Sequence, residues 1–309
     1  MKHLFIINPA AGSKDRTEVY RQEIERVCKP RELDYEIAVS AAPGNCTELA
    51  RQAAISGEEY RIYACGGDGT LNEVVAGAAG YDNVAVTAYV GGSGNDFVKI
   101  FGETEPFRDL EQLLNSKEAT FDLVRCNEDI SLNICSVGLD ARIGTDVSNY
   151  KRLPLLSGFR AYAVSTLVNV IRGIAEHYVV EIGGETIDGD QTLICACNGR
   201  FYGGGFNPVP EADPADGLLD VLVIKKVSRL KVAKVIGKFK NGKYAQLQDL
   251  VKHYKTDHLR ILCDGPTSIN LDGELRTAQV IDISVAKEKL RFFYPAQLSW
   301  KQEKEAATV

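Results

Sequence analysis

The sequence predicts two units of different class: an N-terminal three-layer α/β domain with a mostly parallel sheet, then a β-rich, antiparallel, sandwich-like domain. Three observations carry this. Short β-branched runs alternate with amphipathic helical runs over residues 1 to about 100. Strands with few intervening helices fill the chain after about residue 118. A chain of 309 residues, 45% hydrophobic and 25% charged, supports two cores and excludes disorder or a fibrous repeat as its main state. The expected domains are 1–118 and 119–293, with 294–309 packing back on the first.

Leu4-Phe5-Ile6-Ile7 reads as a buried strand, and Arg16 to Val27 as the charge-rich surface helix after it. Tyr35 to Val39 is a second strand and Cys46 to Ile55 a second helix. Arg61 to Cys65 is a third strand, Thr70 to Ala79 its helix, and Val84 to Tyr89 a fourth strand. This alternation implies right-handed crossovers and a sheet whose ligands bind beyond the carboxyl ends of its strands. In the second half, Phe121 to Cys126, Leu132 to Val137, Tyr178 to Ile182, Leu193 to Asn198, Leu219 to Ile224 and later runs up to Phe293 read as strands. Gly183-Gly184, Asp188-Gly189, Asp264-Gly265-Pro266 and Asp272-Gly273 read as turns between them. One longer helix is expected over Phe159 to Glu176, and the tail from Lys301 to Val309 is expected to fray.

Three glycine-bearing turns of the first half sit at carboxyl ends of strands: Asn8-Pro9-Ala10-Ala11-Gly12-Ser13, Gly66-Gly67-Asp68-Gly69-Thr70 and Gly91-Gly92-Ser93-Gly94-Asn95-Asp96. Their convergence on one sheet edge suggests one site. No G-x-x-x-x-G-K-[ST] occurs and no glycine pair completes G-x-G-x-x-G, so a Walker nucleotidase and an ordinary dinucleotide-binding enzyme lose support. Glycines between a strand and a helix let the backbone approach a phosphate, and the first N–H groups of the helix supply an anion site. Asp68 would repel a bare phosphate there, which implies a divalent cation; the alternative is a tight turn with Asp68 as N-cap. Asp96, with Asp68, makes a candidate two-carboxylate magnesium site, although the second loop alone is ordinary turn chemistry.

Asn8-Pro9, Gly66-Gly67-Asp68-Gly69-Thr70 with Leu71-Asn72-Glu73, Gly94-Asn95-Asp96-Phe97 and the distant Leu271-Asp272-Gly273-Glu274 together resemble the soluble bacterial diacylglycerol kinase and lipid kinase family. That family is related to sphingosine-type kinases and NAD kinases, and the similarity runs from residue 4 to about 294. The resemblance implies a two-domain kinase with ATP in the interdomain cleft and its phosphates over Gly66, Gly67, Asp68, Gly69 and Thr70. It places Asn8, Ser40, Ser93 and Asn95 near the nucleotide; the family more often has Thr where Ser40 and Ser93 stand. Transfer to an alcohol needs a carboxylate in reach of the hydroxyl. The resemblance gives that role to Asp272, with Glu274 orienting it or the metal shell; the alternative is a plain Asp-Gly hairpin turn. It also suggests a structural Mg2+ held by Asp213, Asp216 and Leu218, where a plain acidic turn is the alternative. The activity implied is ATP- and Mg2+-dependent phosphorylation of a lipid hydroxyl, diacylglycerol to phosphatidate. An NAD kinase-like phosphotransferase and a catalytically silent lipid-binding protein on the same fold remain as rivals.

The net charge of −6 argues against coating nucleic acid through bulk charge. Residues 225–243 nevertheless hold eight basic residues (Lys225, Lys226, Arg229, Lys231, Lys234, Lys238, Lys240, Lys243) and no acidic one. Lys231, Lys234 and Lys238 share a helical face, with Leu230, Val235, Ile236 and Phe239 available for apolar contact. That segment is a candidate dock for anionic lipid headgroups, or a solvated helix face. Eight cysteines without a CxxC pair read as buried thiols in a reducing compartment. The apolar stretch Leu4 to Ile7 is too short for a signal sequence, and the longest apolar segment, Leu153 to Ile174, is broken by Arg160, Asn169 and Arg172. The expected location is the cytoplasm, peripheral to the inner face of the membrane; the oligomeric state is open, a homodimer included.

Overall fold

The computed structural model describes residues 1–91, 94–143, 175–228 and 231–301. It divides into one unit of Met1–Phe121 with Lys289–Val309 and a second of Asp122–Glu288, where the sequence suggested breaks after 118 and 293. In the first unit, β1 (Lys2–Ile7), β2 (Tyr35–Val39), β3 (Tyr60–Gly66) and β4 (Val84–Val90) pair in parallel in the order β2-β1-β3-β4. Each of α1 (Thr17–Cys28), α2 (Asn45–Ile55) and α3 (Asp68–Ala78) follows one strand and leads to the next. All seven residues of β4 are buried, the run expected of a strand covered on both faces, whereas the edge strand β2 is largely half-exposed.

The sheet is completed from far along the chain. β15 (Leu290–Pro295) pairs in parallel with β4, and β5 (Ser116–Phe121) pairs with β15 antiparallel. The expected strand over Phe121 to Cys126 is therefore two strands, because Phe121 ends β5 in this sheet while β6 (Val124–Cys126) belongs to the other. An aromatic cluster fixes the addition: Phe97 meets Phe121 at 5.7 Å and Phe292 at 5.3 Å between ring centroids. Tyr63 on β3 stacks on Phe5 at 4.2 Å and meets Phe293 edge-on at 5.0 Å.

In the second unit the antiparallel order is β12-β11-β10-β8-β13-β14-β6-β7, comprising β7 (Asp129–Ser131), β8 (Ile134–Gly138), β10 (Glu185–Cys197), β11 (Leu219–Lys225), β12 (Val251–Thr256), β13 (His258–Leu271) and β14 (Glu274–Val285). β9 (Glu176–Ile182) pairs with both β10 and β13. The two long strands change partner midway. β10 pairs with β9 over Glu185–Gln191 and with β8 over Leu193–Cys197; β13 pairs with β9 over Leu259–Cys263 and with β8 over Ile269–Leu271. The register slips at the changeovers, between Gln191 and Leu193 and between Leu262 and Thr267. Asp188-Gly189 and Asp264-Gly265-Pro266 lie inside these strands, so they are not the inter-strand turns the sequence suggested. Asp264-Gly265-Pro266 falls within the break in pairing between Leu262 and Thr267, as at a bulge, whereas Gly189 stays in regular register opposite Tyr178. Gly183-Gly184 and Asp272-Gly273 are true two-residue turns.

Side chains on alternate positions of β10 go to two cores. Ile194 and Ala196 join Cys135, Val137, Tyr178 and Ile261, whereas Leu193, Cys195 and Cys197 join Ile134, Leu222 and the helix α5 (Val232–Lys240). All eight cysteines are buried and unbridged. Among the described residues no helix is long and apolar enough to cross a membrane. Apart from Ala175 and Glu176, the latter beginning β9, the helix expected over Phe159 to Glu176 lies outside the described residues, as does the tail from residue 302.

Two predictions follow from this packing. Burial first, then repulsion from Arg61, holds the His3 imidazole at a pKa of about 4, below its ordinary 6.5. The unfolded chain takes up the proton first, so this contribution is complete above about pH 6.5 and is lost as pH falls toward 4. His3→Phe, which keeps a ring on Tyr63, should reduce the acid loss of stability by about 1–3 kcal/mol in denaturant titrations from pH 7 to 4. An unchanged pH slope would contradict the assignment.

The second concerns two helical glycines of opposite expected sign. Ala is worth about 1 kcal/mol over Gly in a helix interior. At Gly77, however, an added Cβ would lie 2.2 Å from the Thr47 carbonyl oxygen and 2.9 Å from Ala50 Cβ on α2. Gly77→Ala should therefore destabilise by about 1–3 kcal/mol through overpacking. Gly237 on α5 has nothing within 4 Å of that position. Gly237→Ala should stabilise by about 0.5–1 kcal/mol. A raised unfolding midpoint for Gly77→Ala would overturn the close approach of α2 and α3.

Candidate functional site

The order β2-β1-β3-β4 reverses its winding between β1 and β3, so the chains leaving these strands diverge at the carboxyl edge of the sheet. Asn8 leaves β1 there. Its N–H donates to the Cys65 carbonyl (3.1 Å), its Nδ2 donates to Thr70 Oγ1 (3.1 Å), and its Oδ1 accepts from Ala10 N–H (3.0 Å). Ser40, one residue past β2, is buried; its N–H donates to the Ile7 carbonyl at 2.9 Å, and its side chain lies beside the Cys46 thiol. Glu73 on α3 accepts from Gly44 N–H (3.0 Å) and Cys46 N–H (3.1 Å), capping the start of α2.

α3 begins at Asp68, directly after Gly67, and no side chain caps its first turn. Its leading N–H groups, of Asp68, Gly69 and Thr70, precede the first intrahelical donor, and a Cβ at Gly67 or Gly69 would meet nothing within 4 Å. That open backbone at a helix start suits a phosphate. Asp68 is not the N-cap. Its carboxylate accepts the N–H groups of Asp96 and Asn95, and a Cβ on Gly94 would lie 2.5 Å from Asp68 Oδ2. Asn95 is left-handed, with φ of 50°, as this reversal requires. The loop after β4 is thus folded around a carboxylate of the loop after β3. Gly66 is packed as closely, since a Cβ there would fall 2.2 Å from Thr70 Oγ1. Ser93 lies outside the described residues.

Burial, then the neighbouring Asp96 charge, pushes the Asp68 carboxyl above its ordinary value, against N–H bonds and the Lys99 ammonium. Lys99 is ion-paired with Asp96. Asp68 and Asp96, two carboxylates beside one ammonium, have the donor chemistry that would suit a divalent cation.

In the second unit Asp272-Gly273 forms the two-residue turn from β13 to β14, with φ of 49° and 94°. The carboxylate is built into its surroundings. Oδ2 accepts from Ser131 Oγ (2.6 Å), Leu132 N–H (3.0 Å) and Asn133 N–H (2.9 Å), and Oδ1 accepts from Ile134 N–H (2.8 Å). The segment between β7 and β8 therefore fixes its position. Glu274 pairs with Arg276 Nη2 at 3.0 Å, and the same guanidinium holds Asp129 at 3.2 Å. These contacts tie Glu274 to the β7 edge.

The acidic turn at 213–218 is closed by the protein itself. Asp216 Oδ1 accepts from Leu218 N–H (3.0 Å), its Oδ2 meets the Lys255 ammonium (2.7 Å), and Asp213 Oδ1 accepts from Ala215 N–H (3.1 Å). A structural Mg2+ on Asp213, Asp216 and Leu218 would take the place of the Lys255 ammonium, as one on Asp68 and Asp96 would take that of Lys99. The basic segment is also corrected in part: Val235 and Phe239 are buried in the core and Ile236 packs on it, so they are not available for apolar contact with a membrane. Lys231, Lys234 and Lys240 are exposed, while Arg229 and Leu230 lie outside the described residues.

The structure thus brings Asn8, Gly66–Thr70 and Gly94–Asp96 to one sheet edge, with Ser40 at the neighbouring strand end, and sets Asp272 in its own hydrogen-bonded niche. Sequence reasoning passed over Lys99, Glu73 and Ser131. Only Lys99 had a local signal, standing three residues after Asp96; the partners of the other two are remote in sequence.

The family profile described as "Diacylglycerol kinase catalytic domain" matches residues 2–126, and that described as "YegS C-terminal NAD kinase beta sandwich-like domain" matches residues 133–294. A Staphylococcus carnosus (strain TM300) protein named "Putative lipid kinase" is 26% identical over 253 residues, 81% of each chain. A Staphylococcus aureus (strain JH9) protein of similar name is 25% identical over 226 residues, 72% of this chain and 73% of that one. A crystal structure described as a diacylglycerol kinase from Bacillus anthracis str. Sterne shares the fold, with a TM-score of 0.67 at 19% identity over 95% of this chain and 96% of that one. With one profile spanning the parallel-sheet unit and the other more than half of the chain, the protein belongs to the diacylglycerol kinase-like lipid kinase family.

Proposed function

We propose that this protein is an ATP- and Mg2+-dependent kinase that transfers the γ-phosphoryl group to a lipid hydroxyl, with diacylglycerol as acceptor and phosphatidate as product. The observation that carries this reading is the junction of the two glycine loops through Asp68, at the winding reversal of the sheet, in a chain of this family. The uncapped N–H groups of Asp68, Gly69 and Thr70 receive phosphate oxygens, and Asn8 holds Thr70 in place. Asp68 and Asp96 would hold Mg2+, which would neutralise charge on the phosphates. The acceptor oxygen bonds to the γ-phosphorus as the bond to the bridging oxygen of ADP breaks, and Asp272 accepts the hydroxyl proton. Four hydrogen bonds from Ser131–Ile134 orient that carboxylate before the acceptor arrives.

Radiolabelled ATP with Mg2+ should label diacylglycerol in a panel of separate lipids and NAD. Label on NAD, or on no acceptor, would overturn the reading. Asp272→Asn should lower kcat by about 10²-fold or more in a protein whose circular dichroism is unchanged. Ser131→Ala, which removes one donor to the same carboxylate, should cost less than about tenfold. A folded Asp272→Asn protein with wild-type turnover would remove Asp272 from the mechanism.

We further propose that the exposed lysines of α5 and the residue before it attract anionic headgroups by charge alone. Lys231→Glu with Lys234→Glu should weaken binding to vesicles containing phosphatidylglycerol by about tenfold or more, at roughly 1 kcal/mol per basic residue. Wild-type binding should weaken with added salt. Salt-independent binding, unchanged by the double substitution, would return these lysines to a solvated surface.

A further inference from the structure

The first unit contains a second site candidate that the proposed chemistry does not use. A cavity of about 400 Å³ lies where α1 passes the end of β4, lined by Arg16, Tyr20, Glu23, Arg26, Tyr89 and Arg108. Three guanidiniums and one carboxylate face it, and that carboxylate is already taken: Glu23 accepts two bonds from Arg26, at 2.9 and 2.7 Å. Arg108 pairs with Glu105 at 3.2 Å, but the Glu105 side chain is 82% exposed, so solvent screens the pair. Arg16 takes part in no ion pair among the described residues. Its Nη1 donates to the Gly91 carbonyl at 3.0 Å, and its guanidinium lies 5.7 Å from the centre of the Tyr20 ring.

Arg26 also meets Glu111 at 3.6 Å, but the lining itself holds three guanidiniums to one carboxylate. Guanidiniums at a concave wall match the planar, two-point recognition of phosphate. The volume exceeds what a bare phosphate needs and falls in the usual range for small organic ligands, roughly 300–1,000 Å³. Val19 and Val90 complete the lining with apolar surface. We propose that this cavity binds a phosphate monoester carried on a small organic group, through Arg16 and Arg108, at a place separate from the Gly66–Thr70 phosphate loop. A ligand here would also bear on the other loop. A Cβ on Gly91 would lie 2.2 Å from the Tyr20 hydroxyl and 3.4 Å from Arg16 Nη1, so the cavity wall is in direct contact with the start of the segment leading to Asp96. The phosphate can come from a soluble metabolite or from a lipid headgroup, since both present the same dianion.

Isothermal titration of the full chain at constant ionic strength tests this, with glycerol 3-phosphate, inorganic phosphate and glycerol as probes. Glycerol 3-phosphate should bind saturably and glycerol should not. Arg16→Gln with Arg108→Gln should weaken that binding by about tenfold or more, as expected for loss of two charge-assisted contacts. Arg108→Gln alone keeps the Arg16 bond to Gly91 and should weaken it about threefold or more, which covers the case of a double variant that does not fold. Saturating ATP with Mg2+ should leave a glycerol 3-phosphate site available. Vesicles of phosphatidylcholine with and without phosphatidate separate the sources: phosphatidate-dependent binding lost in the variants assigns the headgroup, and binding of the soluble ester alone assigns a metabolite. Absence of saturable binding by either phosphate probe and by phosphatidate vesicles, unchanged affinity in both variants, or complete displacement by ATP would overturn the proposal. Displacement would place the anion on the Gly66–Thr70 loop, so the outcome also separates failure of this site from failure of the nucleotide reading.

Discussion

The carboxylate of Asp68 accepts backbone N–H groups of Asp96 and Asn95, and through these bonds the loop after β4 takes its shape from the loop after β3. Much of the site's construction is subordinate to this contact. Position 94 must be glycine because Asp68 Oδ2 occupies the space of its Cβ. Asn95 must turn left-handed to bring two successive N–H groups onto one carboxylate. Phe97 then carries the chain into the aromatic cluster with Phe121 and Phe292, so the loop is fixed at one end by charge and at the other by burial. A strand from residues 290–295 thereby helps hold a loop nearly 200 residues earlier.

The same device recurs. Glu73 caps the start of α2, Asp122 Oδ2 accepts from Gly217 N–H at 2.7 Å, and Asp272 accepts from three successive backbone N–H groups and a serine. In each case an acidic side chain satisfies amides of a segment remote in sequence. Charged acceptors make such bonds stronger than neutral ones. Part of the acidic excess of this chain is therefore internal fastening, and its net charge of −6 overstates the negative charge available at its surface.

What was legible in the sequence is what local pattern determines. Strand runs such as Leu4 to Ile7 and Val84 to Tyr89 carry their burial in their composition, and the glycine loops declare themselves because no other residue allows such close backbone approach. What was not legible depends on pairing at a distance. Gly189 and Gly265 look like turn residues, but Gly189 pairs with Tyr178 on β9, and Gly265 lies where β13 exchanges β9 for β8 as partner. Asp216 declares itself as part of an acidic turn, but its pairing with Lys255, 39 positions on, has no local signal. The apolar residues of α5 looked available to a membrane because helical spacing identifies a face without saying what covers it. Asp272 is the instructive case: its Asp-Gly pair declares the hairpin turn in sequence, but nothing local shows that the turn's left-handed backbone sets the carboxylate on Ser131–Ile134, 138–141 residues earlier.

The fastening by Asp68 also carries a tension that bears on function. Its carboxyl is displaced upward by burial and by Asp96, so ionisation of this group works against the folded state near neutral pH. A protein selected for stability alone would relieve this with a neutral amide. A cation bound by the native state alone would offset that cost by mass action. The cost falls at the rim of a sheet whose strand β4 is buried along its whole length. Destabilisation at the edge need not open the core beneath it. The buried sheet thereby holds in register the strand ends from which both loops leave.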